Sequence, residues 1–259
     1  MLRFLLRPRW IVFGLIVIGV AVLFVRLGFW QLDRLDQRRD TNAVITQART
    51  HEPVPVGDLL TADSAAKSSV SYRKITATGQ YDAEHQFLVR NRTVDDRVGF
   101  FLLTPLRTDA GTLFVVRGWI APGAEAASAP QVPAPPAGDV TVTARLRLSE
   151  SEKGSKTQLG AYSAITRINT SELAESTEAP TYRAYAELVE QSPTADPAIA
   201  LISEPPLDEG PHLSYAVQWF LFAGIGVGGF FVLAWRAARE KDEPSPTLAH
   251  TEEKEPVNS

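Results

Sequence analysis

The sequence predicts a membrane protein in which two transmembrane helices flank an extracytoplasmic β-rich α+β domain, its strands forming an antiparallel sheet or a partial barrel. Three observations carry that prediction. Residues 10–30 and 212–235 are apolar runs of about 21 and 24 residues, each long enough to cross a hydrocarbon core of roughly 30 Å as one helix. Arg3, Arg7 and Arg9 precede the first run, and Arg236, Arg239 and Lys241 follow the second, so the positive-inside rule places both ends in the cytoplasm. Between the runs, short stretches rich in Val, Thr, Phe and Tyr alternate with turn residues, without long helical periods between them.

Residues 1–9 form a short cytoplasmic start, and 10–30 the first span. A signal peptide would carry a shorter apolar core and a small-residue cleavage site, whereas this run ends in Gly28-Phe29-Trp30. Arg26 sits about one turn from Trp30, near enough to snorkel to the far interface. The domain proper covers 31–211. It opens with a juxtamembrane continuation of the first helix, in which Leu32, Leu35, Val44 and Ile45 are interleaved with charges, and Pro53 and Pro55 end it. Strands follow at 72–81, 86–92, 99–107, 112–120 and 140–148, with turns at Asp82, Asp95-Asp96 and Asp109-Ala110-Gly111. The strand at 140–148 alternates apolar and polar residues as a half-buried strand should. An alanine- and proline-rich loop fills 122–138. Further strands at 164–168, 182–190 and 198–202, and a short helix near 171–175, complete the domain. Gly79, Gly99 and Gly118 are expected at turns or tight contacts. The second span is 212–235, and 236–259 reads as an acidic, disordered cytoplasmic tail.

Composition narrows the chemistry. The formal net charge is −4, and residues 240–259 hold six acids against two lysines, so the tail accounts for it. The rest is balanced and offers no basic face to nucleic acid. There is no cysteine, and Met1 is the single methionine, which excludes copper(I) delivery by thiolate or thioether and covalent haem attachment through Cys-x-x-Cys-His. No nucleophile elbow, phosphate-binding loop or zinc spacing occurs, and His51 and His85 stand alone. Arg117-Gly118-Trp119 reads as a strand end with Trp119 covering a core edge.

The entry to the second span stands apart. Gly210 and Pro211 suit a helix start, and at about 100° per residue His212, Tyr215, Ala216, Trp219 and Ala223 share one face. Gly224 and Gly228 lie on another, a surface where a second helix can approach closely. An imidazole there is either an interfacial side chain at headgroup level or a ligand. The positive end of the helix dipole disfavours a second positive charge and so favours the uncharged, metal-binding ring.

These pieces, in this order, resemble the Surfeit locus protein 1 family of cytochrome oxidase assembly factors. The resemblance rests on Gly28-Phe29-Trp30-Gln31-Leu32-Asp33-Arg34, on Gly79-Gln80-Tyr81, on Thr104-Pro105-Leu106, on Leu113-Phe114-Val115-Val116-Arg117-Gly118-Trp119 and on the run from His212 to Phe220. It covers most of the chain outside the Ala/Pro loop and the tail. The family pattern has an asparagine two residues before the histidine, where this chain has Gly210. The resemblance implies a non-enzymatic factor in the plasma membrane of a bacterium. Its partners would be the catalytic subunit of a haem-copper oxidase, the enzymes of haem a synthesis and membrane lipid. It implies haem a as a transient cofactor, with His212 as the iron ligand and Trp219 and Tyr215 in its pocket; Arg26, Arg34 and Arg117 are the candidate partners of its propionates. The alternative is a scaffold that steadies the unfinished subunit without touching haem.

Overall fold

The computed structural model describes residues 7–123, 128–177 and 179–239, so the expected acidic tail from 240 onward lies outside the described residues. The chain divides into two compact units, residues 1–39 with 209–259 and residues 40–208.

The first unit is a helix hairpin. Helix α1 runs Pro8–Arg49 without a break, and its 42 residues make a rod of about 63 Å at 1.5 Å per residue, so the apolar segment and the charged continuation are one helix. The final helix, α4, is His212–Arg239. Both are long and apolar enough to cross a membrane, and their apolar segments are mostly exposed, which separates them from core helices of a soluble protein.

The second unit is a mixed sheet of nine strands. Strand β1 is Val54–Pro55, followed by α2 (Val56–Leu59) and a 3₁₀ turn at Ser68–Val70. Then come β2 (Lys74–Tyr81), β3 (Phe87–Val94), β4 (Arg97–Thr108), β5 (Gly111–Ile120) and β6 (Asp139–Leu148). Strands β7 (Lys156–Leu159) and β8 (Tyr162–Ile165), helix α3 (Thr170–Ala174) and strand β9 (Thr181–Ser192) complete it. The order is β1-β2-β6-β9-β5-β4-β3-β8-β7, and β2 also pairs with β4. That extra pairing, Gln80 with Arg107 and Tyr81 with Leu106, closes β2, β6, β9, β5 and β4 into a ring. The expected partial barrel is therefore present, but the sheet is not purely antiparallel. Strand β9 inserts between β6 and β5 and runs parallel to β5, and β1–β2 and β3–β8 are parallel as well. Period-2 patterning sets which face is buried and carries no direction, so it could not reveal this.

Every residue of β5 is buried, and the two-residue period explains how. Leu113 and Val115 point into the cluster shared by the five ring strands, with Ile75, Leu106, Val142, Leu146, Ala184 and Leu188. Phe114 and Val116 point the other way, into a second cluster with Phe87, Val89, Leu103, Ile165 and Leu173. Gly79 sits where β2 crosses to β4, and a Cβ there would overlap the Arg107 carbonyl, so ring closure requires glycine. Gly99 is crowded in the same way by Trp119, and Gly118 by the Ala200 carbonyl. The expected strand at 198–202 reduces to a bridge between Trp119 and Ala200, while β7 is a strand the sequence pattern did not announce.

Candidate functional site

The candidate site lies at the amino end of α4. Gly210 adopts φ +66°, the left-handed region, and reverses the chain directly before the helix. Asparagine is the other residue that visits this region readily, so glycine in place of the family's asparagine preserves the turn. The Pro211 carbonyl accepts from the Tyr215 amide at 3.1 Å and from Ser214 Oγ at 2.8 Å, which fixes the first turn. Just ahead of the turn, Arg39 grips Glu209 through two hydrogen bonds, Nε to Oε1 at 2.8 Å and Nη2 to Oε2 at 3.0 Å. The hydrogen bond from Arg39 holds the Glu209 carboxyl below its ordinary range.

His212 is half-buried, and its Nδ1 lies 2.9 Å from Oε1 of Gln31 on α1. An amide oxygen only accepts, so the ring donates from Nδ1, and Nε2 takes no part in this bond. Gln31 stands three residues beyond Gly28 and seven beyond Phe24, on one face of α1. The same face meets α4 throughout. Phe24 packs on Trp219 with ring centroids 5.3 Å apart and on Phe222 at 6.0 Å. Gly28 receives the ring of Phe220, and Gly14 lies against Phe230. Phe220 is also braced edge-on by Phe29 at 5.5 Å. The partners descend α1 as they ascend α4, so this is an antiparallel ladder with the His212–Gln31 pair at one end.

The structure thus places Trp219 beside Phe24 on the His212 side of the ladder, and leaves Tyr215 exposed at 45 %. Gly224 and Gly228 are not part of it. A Cβ at either would meet nothing within 4 Å, and close approach is instead provided by Gly14 and Gly28 of α1. The buried residues of α4 are Ala216, Ala223 and Ala234, a stripe at multiples of about 3.6 residues that both glycines miss. The helix-packing expectation for Gly224 and Gly228 therefore does not hold against α1. Of the three candidate arginines, Arg26 is exposed, and Arg34 stacks over Trp30 at 5.6 Å and donates to Gln37 at 2.9 Å. Arg117 belongs to the sheet unit and is 1 % exposed. It occupies a bulge of β5 opposite Leu102 and Leu103, donates to the carbonyls of Pro133 and Ala134 at 2.9 and 3.1 Å, and lies over the Tyr81 ring. It is turned into the sheet unit, where it is engaged by the Ala/Pro loop and by Gln86 Oε1 at 3.3 Å.

Among the described residues, no three His, Asp or Glu side chains gather into a cage for a free metal ion. The partner that sequence reasoning missed is Gln31, which it used only as part of a motif; its signal was a polar amide immediately beyond an apolar span.

Comparison with known proteins gives a consistent answer. The SURF1 family matches residues 18–224, a stretch that contains α1 from its apolar segment, the whole sheet unit and the His212 end of α4. SURF1-like proteins of Mycobacterium bovis and Mycobacterium tuberculosis are each 34 % identical over 252 residues, covering 95 % of this chain and 92 % of theirs. The cytochrome oxidase assembly protein SHY1 of Saccharomyces cerevisiae is 32 % identical over 112 residues, 42 % of this chain and 28 % of that protein. With the match running through both helices and the sheet between them, the chain belongs to the SURF1 family.

Proposed function

We propose that this protein is a non-enzymatic assembly factor for a haem-copper terminal oxidase in a bacterial plasma membrane, holding haem a on its way into the catalytic subunit. Family membership and the partial likeness to the yeast assembly protein support the assembly role. The observation that supports the haem reading is the His212–Gln31 pair, in which Nδ1 is occupied by the amide oxygen and Nε2 is left to ligate. On this reading α1 and α4 span the membrane, the arginine flanks keep both termini cytoplasmic, and the sheet unit stands outside. His212 then lies at the outer interface, beside the oxidase catalytic subunit and within reach of the enzymes that make haem a.

Haem a, when bound, would supply an iron for an imidazole to ligate. His212 Nε2 would hold it, and Trp219, with Tyr215 between, would present apolar surface along the same helix face. A spectrum of the full chain purified from cells that synthesise haem a tests the reading. A haem a spectrum that His212→Ala abolishes or alters, together with reduced oxidase haem content in cells carrying that variant, is the expected result. Native protein without haem, in cells whose oxidase still depends on it, would favour the scaffold. Normal oxidase after deletion of the gene would sink both.

A further inference from the structure

We propose that Gln31 is a positioning residue for His212: by accepting from Nδ1–H it locks the imidazole in the Nδ1–H tautomer and leaves Nε2 as the ligating atom. The inference rests on the haem reading for its purpose, but the tautomer lock is a property of the protein alone. Three observations converge on it. The Nδ1–Oε1 distance is 2.9 Å, a full-strength hydrogen bond between residues 181 apart in sequence. Gln31 is itself held, because it continues the α1 face on which Gly28 is pressed against Phe220 and Leu35 is 2 % exposed. His212 is the first residue of α4, tied down by the Gly210 turn and the Arg39–Glu209 clasp, so neither partner has far to move.

The chemistry follows from the donor inventory. A free imidazole exchanges between two tautomers, and only the nitrogen without a proton can bind a metal. A fixed acceptor at Nδ1 removes the wrong tautomer, orients the ring and enriches its electron density, as partners of metal-bound histidines generally do. An amide oxygen is a weaker acceptor than a carboxylate. Glutamine therefore sets the tautomer without pulling the proton towards itself, which suits a ligand that must later release its cargo.

The test uses the full chain in detergent, labelled with nitrogen-15 at histidine. The sequence holds four histidines, and His212→Ala identifies the signal by subtraction. In the haem-free native protein His212 should be the Nδ1–H tautomer, and Gln31→Leu should convert it to a mixture or to the Nε2–H form. In haem a titrations Gln31→Leu should bind about 10- to 100-fold more weakly. Gln31→Glu, a stronger acceptor that keeps the contact, should retain binding and shift the midpoint potential downward. A merely structural glutamine would move neither tautomer nor potential. An Nε2–H ring in the native protein, or a Gln31→Leu variant with native tautomer, affinity and potential, overturns the proposal. If the tautomer shifts as expected but native protein takes up no haem a, the lock stands and the haem reading falls.

Discussion

Gly28→Ala should separate the helix ladder at the His212 end, and the structure sets the scale. A Cβ at residue 28 would lie 2.6 and 2.7 Å from two ring atoms of Phe220. Ordinary van der Waals contact begins near 3.4 Å, so the added methyl demands about 1 Å of room. Phe220 is not free to swing, since Phe29 packs edge-on against it at 5.5 Å. The displacement falls one helical turn from Gln31, where a shift of about 1 Å takes the 2.9 Å bond to His212 past the limit of a useful hydrogen bond. Overpacking of this kind costs about 1–3 kcal/mol. Haem a affinity of Gly28→Ala should drop about 10- to 100-fold, as when a ligating imidazole loses the hydrogen bond that orients it, and Phe220→Ala in the same chain should restore it. Gly224→Leu with Gly228→Leu, where the space is open, should leave tautomer and affinity unchanged. Native binding by Gly28→Ala, or failure of rescue in a folded double variant, would refute the wedge. Loss of binding in the Gly224/Gly228 pair would show that the ladder runs along a different face.

Two further predictions concern the sheet unit. Glu187 is buried and accepts from Arg145 Nε at 3.0 Å and Nη2 at 2.8 Å and from Arg147 Nη1 at 3.0 Å; Glu187→Leu strands these cations and should cost about 3–5 kcal/mol, while adding Arg145→Met should recover part of it, as thermal unfolding would show. Asp82 is pulled upward by burial, but hydrogen bonds from His85 and Arg107 outweigh this and hold its carboxyl below the ordinary range. A depressed folded-state value means its contribution is complete above the unfolded carboxylate range and is lost as pH falls through the folded value, so stability should decline below about pH 4. Asp82→Asn should flatten that acid limb, and an unchanged limb would assign it to other carboxylates.

Much of the fold was legible because burial imposes period. The alternation at 140–148 became β6, with Val140, Val142, Ala144 and Leu146 all in the ring core. The uninterrupted α1 was readable from apolar length followed by spaced Leu and Val among charges. Strand direction was not readable. Whether β9 lies antiparallel at an edge or parallel beside β5 depends on pairings between residues such as Phe114 and Tyr185, which no local pattern encodes. The setting of Arg117 was not readable either: the strand motif gives no sign of the bulge that turns this side chain inward to hold the Ala/Pro loop.

The site shows the same division between what one segment states and what two must share. His212, Trp219 and the turn before them could be found because a helix start has residue preferences and a face has a period. The choice of contact face on α4 could not. Gly224 and Gly228 satisfy the small-xxx-small spacing, yet that spacing marks only where a helix is able to approach, and here α1 brings its own glycines to the contact. At Gly14 and Gly28 of α1 the bulk is supplied by α4, as Phe230 and Phe220. That allocation fixes the rotation of the helices, and the rotation puts Gln31 opposite His212. The identity of residue 31 has meaning only once residue 28 has no side chain. The glycine, the glutamine and the histidine therefore form one unit, in which a packing choice on one helix decides the protonated edge of a ring on the other.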